Sequence, residues 1–141
     1  MVTTEMFDGA VGLLIKKCQC IEHDVKIMYA GMLRGDFSKN LDKVINKPLG
    51  PALAKLEELD YSDDSPYLSR DDYALLNEIK NIRNYWVHKG YIEFLYGSQQ
   101  GYQRRLENQY RELIKDCNRI SPLAKQLEDI RIEMMIHFGR S

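Results

Sequence analysis

The chain reads as an all-α protein, a four- to six-helix up-and-down bundle forming a single domain over residues 1–141. Three observations predict this. Apolar residues recur every three or four positions over long stretches, the period of one helix face. Start and stop signals bracket those stretches. No segment alternates apolar and polar residues in the period-two pattern of a strand.

The first element is expected from about Thr4 to Leu33. Phe7, Val11, Leu14, Cys18, Ile21, Val25, Met28 and Met32 form its stripe, and Gly31 and Gly35 mark its end. Lys16, Lys17, His23, Asp24 and Lys26 lie off the stripe, so His23 reads as a solvated residue. Asp36 to Leu59 is a second helical region. Pro48-Leu49-Gly50-Pro51 interrupts it, because proline lacks the N–H donor and clashes with the preceding turn. Tyr61 to Leu68 is a loop by composition.

Ser69 is a good N-cap with Asp72 three residues on, and Asp71 and Asp72 suit the positive end of the helix dipole. From there a long central helix is expected to about Tyr96, with Gly90 weakening it locally and Gly97 to Gly101 ending it. Tyr102 to Ile120 makes a further helix. Ser121-Pro122 then reads as an N-cap followed by proline at the first helical position, opening a last helix that stacks on it almost in phase.

The chain has a formal net charge of −1, with 44% hydrophobic and 29% charged residues. That is an ordinary globular composition, with no charge excess of the kind that advertises a nucleic-acid binder. The distribution is less even. Glu57 to Asp72 holds seven acidic residues against one basic, whereas Tyr73 to Ile120 holds eight basic against five acidic. The basic region coincides with the central helix and the next, which permits phosphate binding. No apolar run reaches membrane-spanning length, and the N-terminus lacks the pattern of a signal peptide, so a cytoplasmic protein without membrane attachment is expected. Cys18, Cys20 and Cys117 are an odd set with no second pair of ligands nearby. Neither a disulfide framework, nor a metal site, nor any cofactor is expected, and Cys18 and Cys117 fall on apolar stripes. The acidic loop around Asp63 and Asp64 reads as solvated.

The central helix carries the chemistry. At about 100° per residue, Leu75, Ile79, Ile82 and Trp86 share one side, whereas Lys80, Arg83, Asn84, Val87, His88 and Tyr91 share the other. Asn84 and His88 are i,i+4 neighbours, so the amide can orient the imidazole. An imidazole moves protons near neutral pH, and a guanidinium stabilises charge on a phosphate. Metal-free RNA cleavage needs those two parts. The same spacing recurs from Arg131 to His137, where it reads as accidental, and an exposed polar face without a task is the plain alternative. Tyr85, Tyr96, Tyr102 and Tyr110 fall near Arg104, Arg105 and Arg111; they read as core rim or as the lining of an RNA groove.

The segment from Asn77 to His88, containing Arg83-Asn84 and His88, resembles the signature helix of the HEPN superfamily, whose motif is an arginine, a polar residue and a histidine after four to six intervening residues. The end of the first helix, Tyr29 to Phe37, resembles it as well. The resemblance implies a small helical bundle and a metal-independent endoribonuclease of toxin or phage-defence type, cutting RNA by 2′-hydroxyl attack. Arg83, Asn84 and His88 would be catalytic, and Lys80, Tyr91, Arg104 and Arg105 would bind substrate. It also implies a homodimer with a composite cleft and a nucleotidyltransferase-like antitoxin as partner. Several toxin members carry a modifiable tyrosine two residues after the histidine; here Gly90 stands there and Tyr91 one further on. Other members only bind nucleotides or serve as scaffolds, so a non-catalytic module binding a nucleotide or a protein partner is the second reading.

Overall fold

A computed structural model describes residues 1–137. Helix α1 runs Thr4–Met32, α2 Phe37–Val44, α3 Leu49–Asp60, α4 Arg70–His88, α5 Ile92–Leu95, and α6 Tyr102–His137 after a 3₁₀ turn at Gln99–Gly101. Five longer helices and one single-turn helix thus make an all-α bundle, with no strand among the described residues.

The expected stripe of α1 is the core's spine. Phe7, Leu14, Cys18, Ile21 and Met28 are fully enclosed, and Val11 and Val25 nearly so. The helix starts where Thr3 accepts the amide of Met6 at 3.1 Å, supplying one of the orphan donors of the first turn. Facing this stripe are Leu106, Leu113, Ile120 and Leu127 of α6, Leu53 and Leu56 of α3, and Ile79 and Trp86 of α4. A smaller cluster of Ile27, Ala30 and Phe37 fastens α2 to the far end of α1.

The loop before α4 is organised by one buried carboxylate. Asp60 accepts the amides of Tyr67 and Leu68 at 2.8 and 3.1 Å and the Tyr73 hydroxyl at 2.7 Å. Burial and that carboxylate push the Tyr73 phenol up, keeping it a donor. Ser69 then begins α4 with a full capping box: its hydroxyl accepts from Asp72 N, and its own amide donates to the Asp72 carboxylate.

Two helix boundaries differ from the expectation. The central helix ends at His88 and does not reach Tyr96. The amides of Lys89 and Gly90 both turn back to the carbonyl of Tyr85, and Gln109 of α6 donates to the Gly90 carbonyl at 3.0 Å. The chain folds over Trp86 so closely that a Cβ on Gly90 would lie 2.5 Å from the indole Cε3. Glycine is needed here for that approach.

The second difference is that α6 is continuous through Pro122. Ser121 does not cap a new helix. Its hydroxyl donates back to the Cys117 carbonyl at 2.7 Å and accepts from Lys17 at 2.7 Å. A proline inside a helix costs about 3 kcal/mol. Burial of Ile120, Leu123, Leu127 and Ile130 on one unbroken face offsets that loss.

The Gly90 contact yields a direct test. Gly90→Ala must displace the Trp86 indole, and we expect a loss of about 1–3 kcal/mol in urea unfolding, the usual range for overpacking. An unchanged midpoint would mean that the indole yields freely.

Candidate functional site on the α4 edge

Four of the predicted residues, Lys80, Arg83, Asn84 and His88, lie on α4, and of these Arg83 meets α1 through Glu22. Lys80 and His88 are exposed, and Arg83 and Asn84 are half-buried. The opposite side of the same helix holds Ile79, Ile82 and Trp86 in the core, as the helical projection predicts. Trp86 is only 1% exposed, yet its indole N–H donates to Asp116 of α6 at 2.8 Å. That bond fixes the rotation of α4 and so the direction in which Arg83 and His88 point.

Arg83 is not a free cation. Its Nη1 makes a close ion pair with Glu22 of α1, and both side chains are mostly shielded, 25% and 22% exposed. Arginine has five donors in a planar fork. Glu22 occupies the Nη1 edge and sets the rotamer, leaving other N–H groups of the fork for a second acceptor. An incoming phosphate therefore meets a positioned guanidinium, but one partly neutralised by a carboxylate. Beneath the pair lies Cys18. Its thiol is pushed up to about 12, chiefly by burial and then by Glu22, with Arg83 opposing. It is an inert packing group and not a nucleophile.

Tyr91 lies elsewhere than a continuous helix would put it. Because α4 ends at His88, Tyr91 sits on the following turn, edge-on to Phe7 with ring centroids 5.0 Å apart. Its hydroxyl donates to Asp8 of α1. Burial and this bond raise the phenol to about 12.

The two α6 arginines separate. Arg104 is exposed. Arg105 turns inward and donates to the Phe94 carbonyl at 3.2 Å, while its Nε is enclosed without a partner. Its guanidinium lies against Gly97 and Gly101, where a Cβ would sit 3.1 and 2.8 Å from it. Gly97 also has φ of +130°, which disfavours any side chain. Arg105 thus holds the α5–α6 connection together.

Among the other aromatics, Tyr85 accepts from Gln109 at 2.9 Å, and Tyr102 and Tyr110 pack at the core margin. Tyr96 alone of the four is widely exposed, at 73%. The Asp63 carboxylate caps its own loop by accepting Ser65 N at 2.8 Å. Arg131, the first residue of the second motif-like spacing, is bonded to the buried Asp24 at 2.9 Å.

Sequence reasoning missed Glu22 and Asp8. A signal was present: Asp8, Ile15 and Glu22 are spaced seven apart on α1, hence on one side of it, flanking the buried stripe. Both acids meet groups from the α4 region.

Searches against protein-family models, curated proteins and solved structures return no match to this chain.

Two outcomes follow from the pairings. Glu22→Ala leaves Arg83 half-buried without its carboxylate, and we expect a loss of about 1.5–3 kcal/mol in thermal unfolding, the range for a charge-assisted hydrogen bond. Tyr91 has a folded pKa above its ordinary value of 10.0. Its contribution is therefore complete below pH 10 and lost as pH rises through about 12. The stability difference between the parent and Tyr91→Phe, measured by urea unfolding across that window, should shrink; a constant difference would contradict the assignment.

Proposed function

We propose that this chain is a metal-independent endoribonuclease of HEPN type. The observation that supports it is that Arg83, Asn84 and His88 all lie on α4 outside its buried stripe, about 140° apart at the extremes, with Arg83 held in position by Glu22. In this reading His88 takes the proton of an RNA 2′-hydroxyl. The 2′-oxygen attacks the adjacent phosphorus, and the P–O5′ bond breaks. The leaving 5′-oxygen receives a proton, so the products are a 2′,3′-cyclic phosphate and a 5′-hydroxyl. Arg83 stabilises the extra negative charge on the phosphoryl oxygens of the transition state. Asn84, one turn before His88, orients the imidazole or the RNA. Lys80 and Arg104 supply exposed cations for the flanking phosphates. A second copy across a two-fold axis would divide the acid and base roles between two imidazoles. RNA, a second copy of the chain and a nucleotidyltransferase-like antitoxin are the partners of this reading, and the cytoplasm is its compartment. No helix among the described residues is long and apolar enough to cross a membrane.

A second reading is favoured by the same Glu22 contact. A guanidinium already paired to a carboxylate suits a docking surface for a nucleotide or a protein partner without any chemistry.

Incubation with RNA in excess chelator separates them. The ribonuclease reading expects 2′,3′-cyclic ends, and a rate loss of about a hundredfold or more for His88→Ala and for Arg83→Ala. Binding without cleavage supports the second reading, and a fully active His88→Ala removes the mechanism.

A further inference from the structure

We propose that the groove between α1 and α6, on the flank of α1 away from α4, seats an acidic amphipathic helix of a separate polypeptide. This face is independent of the ribonuclease reading. Cys20 lines it, whereas Glu22 holds Arg83, and the two residues lie about 160° apart around α1.

The groove encloses about 790 Å³, and both its walls are helical. On α1 it is lined from Leu13 to Ile27, and on α6 from Ser121 to Met135. At about 1.5 Å per residue each wall is about 21 Å long, the length of a four-turn helix. Lining positions on α1 are 13, 16, 17, 19, 20, 23, 24 and 27, mostly at the three-and-four spacing by which one helix offers a seam to another. The remaining helices leave this flank open: α3 and α4 pack on the core side, and α2 caps the end.

The chemistry of the walls selects the occupant. The floor is apolar, with Ile27, Ala124 and Met135, and Leu13 is 47% exposed at one end. Around this strip stand four cationic residues, Lys16, Lys17, Lys125 and Arg131, against two anionic ones, Asp24 and Glu128. The two acids engage two of these cations, Asp24 with Arg131 and Glu128 with Lys125, which also meets Asp129, so the surplus rests on Lys16 and Lys17, the latter bonded to the Ser121 hydroxyl. His23 adds a further group able to carry positive charge. The surplus is positive on a chain of net charge −1. A second copy pairing through the same face would bring two cationic surfaces together, a repulsive arrangement for a self-complementary interface. RNA suits it less well, because an apolar floor without a single aromatic side chain offers nothing on which bases stack. A helix with leucines on one face and carboxylates on the other matches both floor and rim.

Cys20 reports on the groove directly. It is exposed, whereas Cys18 and Cys117 are buried, so Cys20 is the thiol that a disulfide reagent modifies first in the folded protein. The experiment follows that modification while adding a synthetic helix of about 15 residues with leucines at i, i+3, i+4 and i+7 and glutamates elsewhere. A counterpart with lysine for glutamate and an oligouridylate serve as alternative probes. We expect saturable protection of Cys20 by the acidic helix alone. The double variant Lys16→Glu, Lys125→Glu should weaken it at least about tenfold, and Leu13→Asp by a similar factor. All three side chains are exposed, so the variants should keep the parent's helical circular dichroism. Absence of protection, equal protection by both helices, protection by the oligouridylate, or indifference to these substitutions would each overturn the proposal.

Discussion

Burial of a single stripe on α1 is the constraint from which the rest follows. Phe7, Leu14, Cys18 and Ile21 must leave water, and only α6, α3 and α4 together provide enough apolar surface to receive them. Once that stripe faces inward, the rotation of α1 is set. Asp8 and Glu22 then fall toward α4, whereas Lys17 and Asp24 fall toward α6. The two polar flanks of one helix are thereby given different partners, and the molecule acquires two chemically distinct surfaces from one packing decision.

The same logic governs α4. Its apolar side is spoken for by Ile79 and Trp86, and the indole N–H adds direction by bonding to Asp116. A buried indole without a partner would be costly, so this bond limits how far the helix can rotate. Immediately afterwards the chain closes over the indole at Gly90, and Gln109 ties down the turn through both Tyr85 and the Gly90 carbonyl. The histidine therefore lies on the last turn of a helix locked at both of its faces. Its backbone is thereby held while the imidazole of His88 remains exposed.

Glu22 is the contact that shapes the functional reading. It pre-positions Arg83, which favours recognition of a second acceptor, and it also offsets the charge that would draw a phosphate in. The HEPN-type reading takes the first effect as dominant, and the binding-module reading takes the second. The basic α1–α6 groove lies outside both.

The sequence by itself determined the fold class, the stripes of α1 and α6, an interruption between two short helices near Pro48, although Leu49 to Pro51 already belong to α3, the capped start of α4 at Ser69, and the positions of Arg83, Asn84 and His88 off the buried stripe of α4. All of these rest on interactions within a few residues of one another, where spacing is enough. What only the tertiary structure decided rests on contacts between distant segments. Gly90 ended α4 because Trp86 lies beneath it and Gln109 reaches it from α6. Pro122 failed to end α6 because the apolar face on both sides of it packs as one. Arg83 acquired Glu22 from 61 positions away, and Arg105 turned inward to Phe94. Local periodicity states which side of a helix is polar, but a charged group's partner depends on how neighbouring helices are rotated, and burial of the whole core sets that rotation.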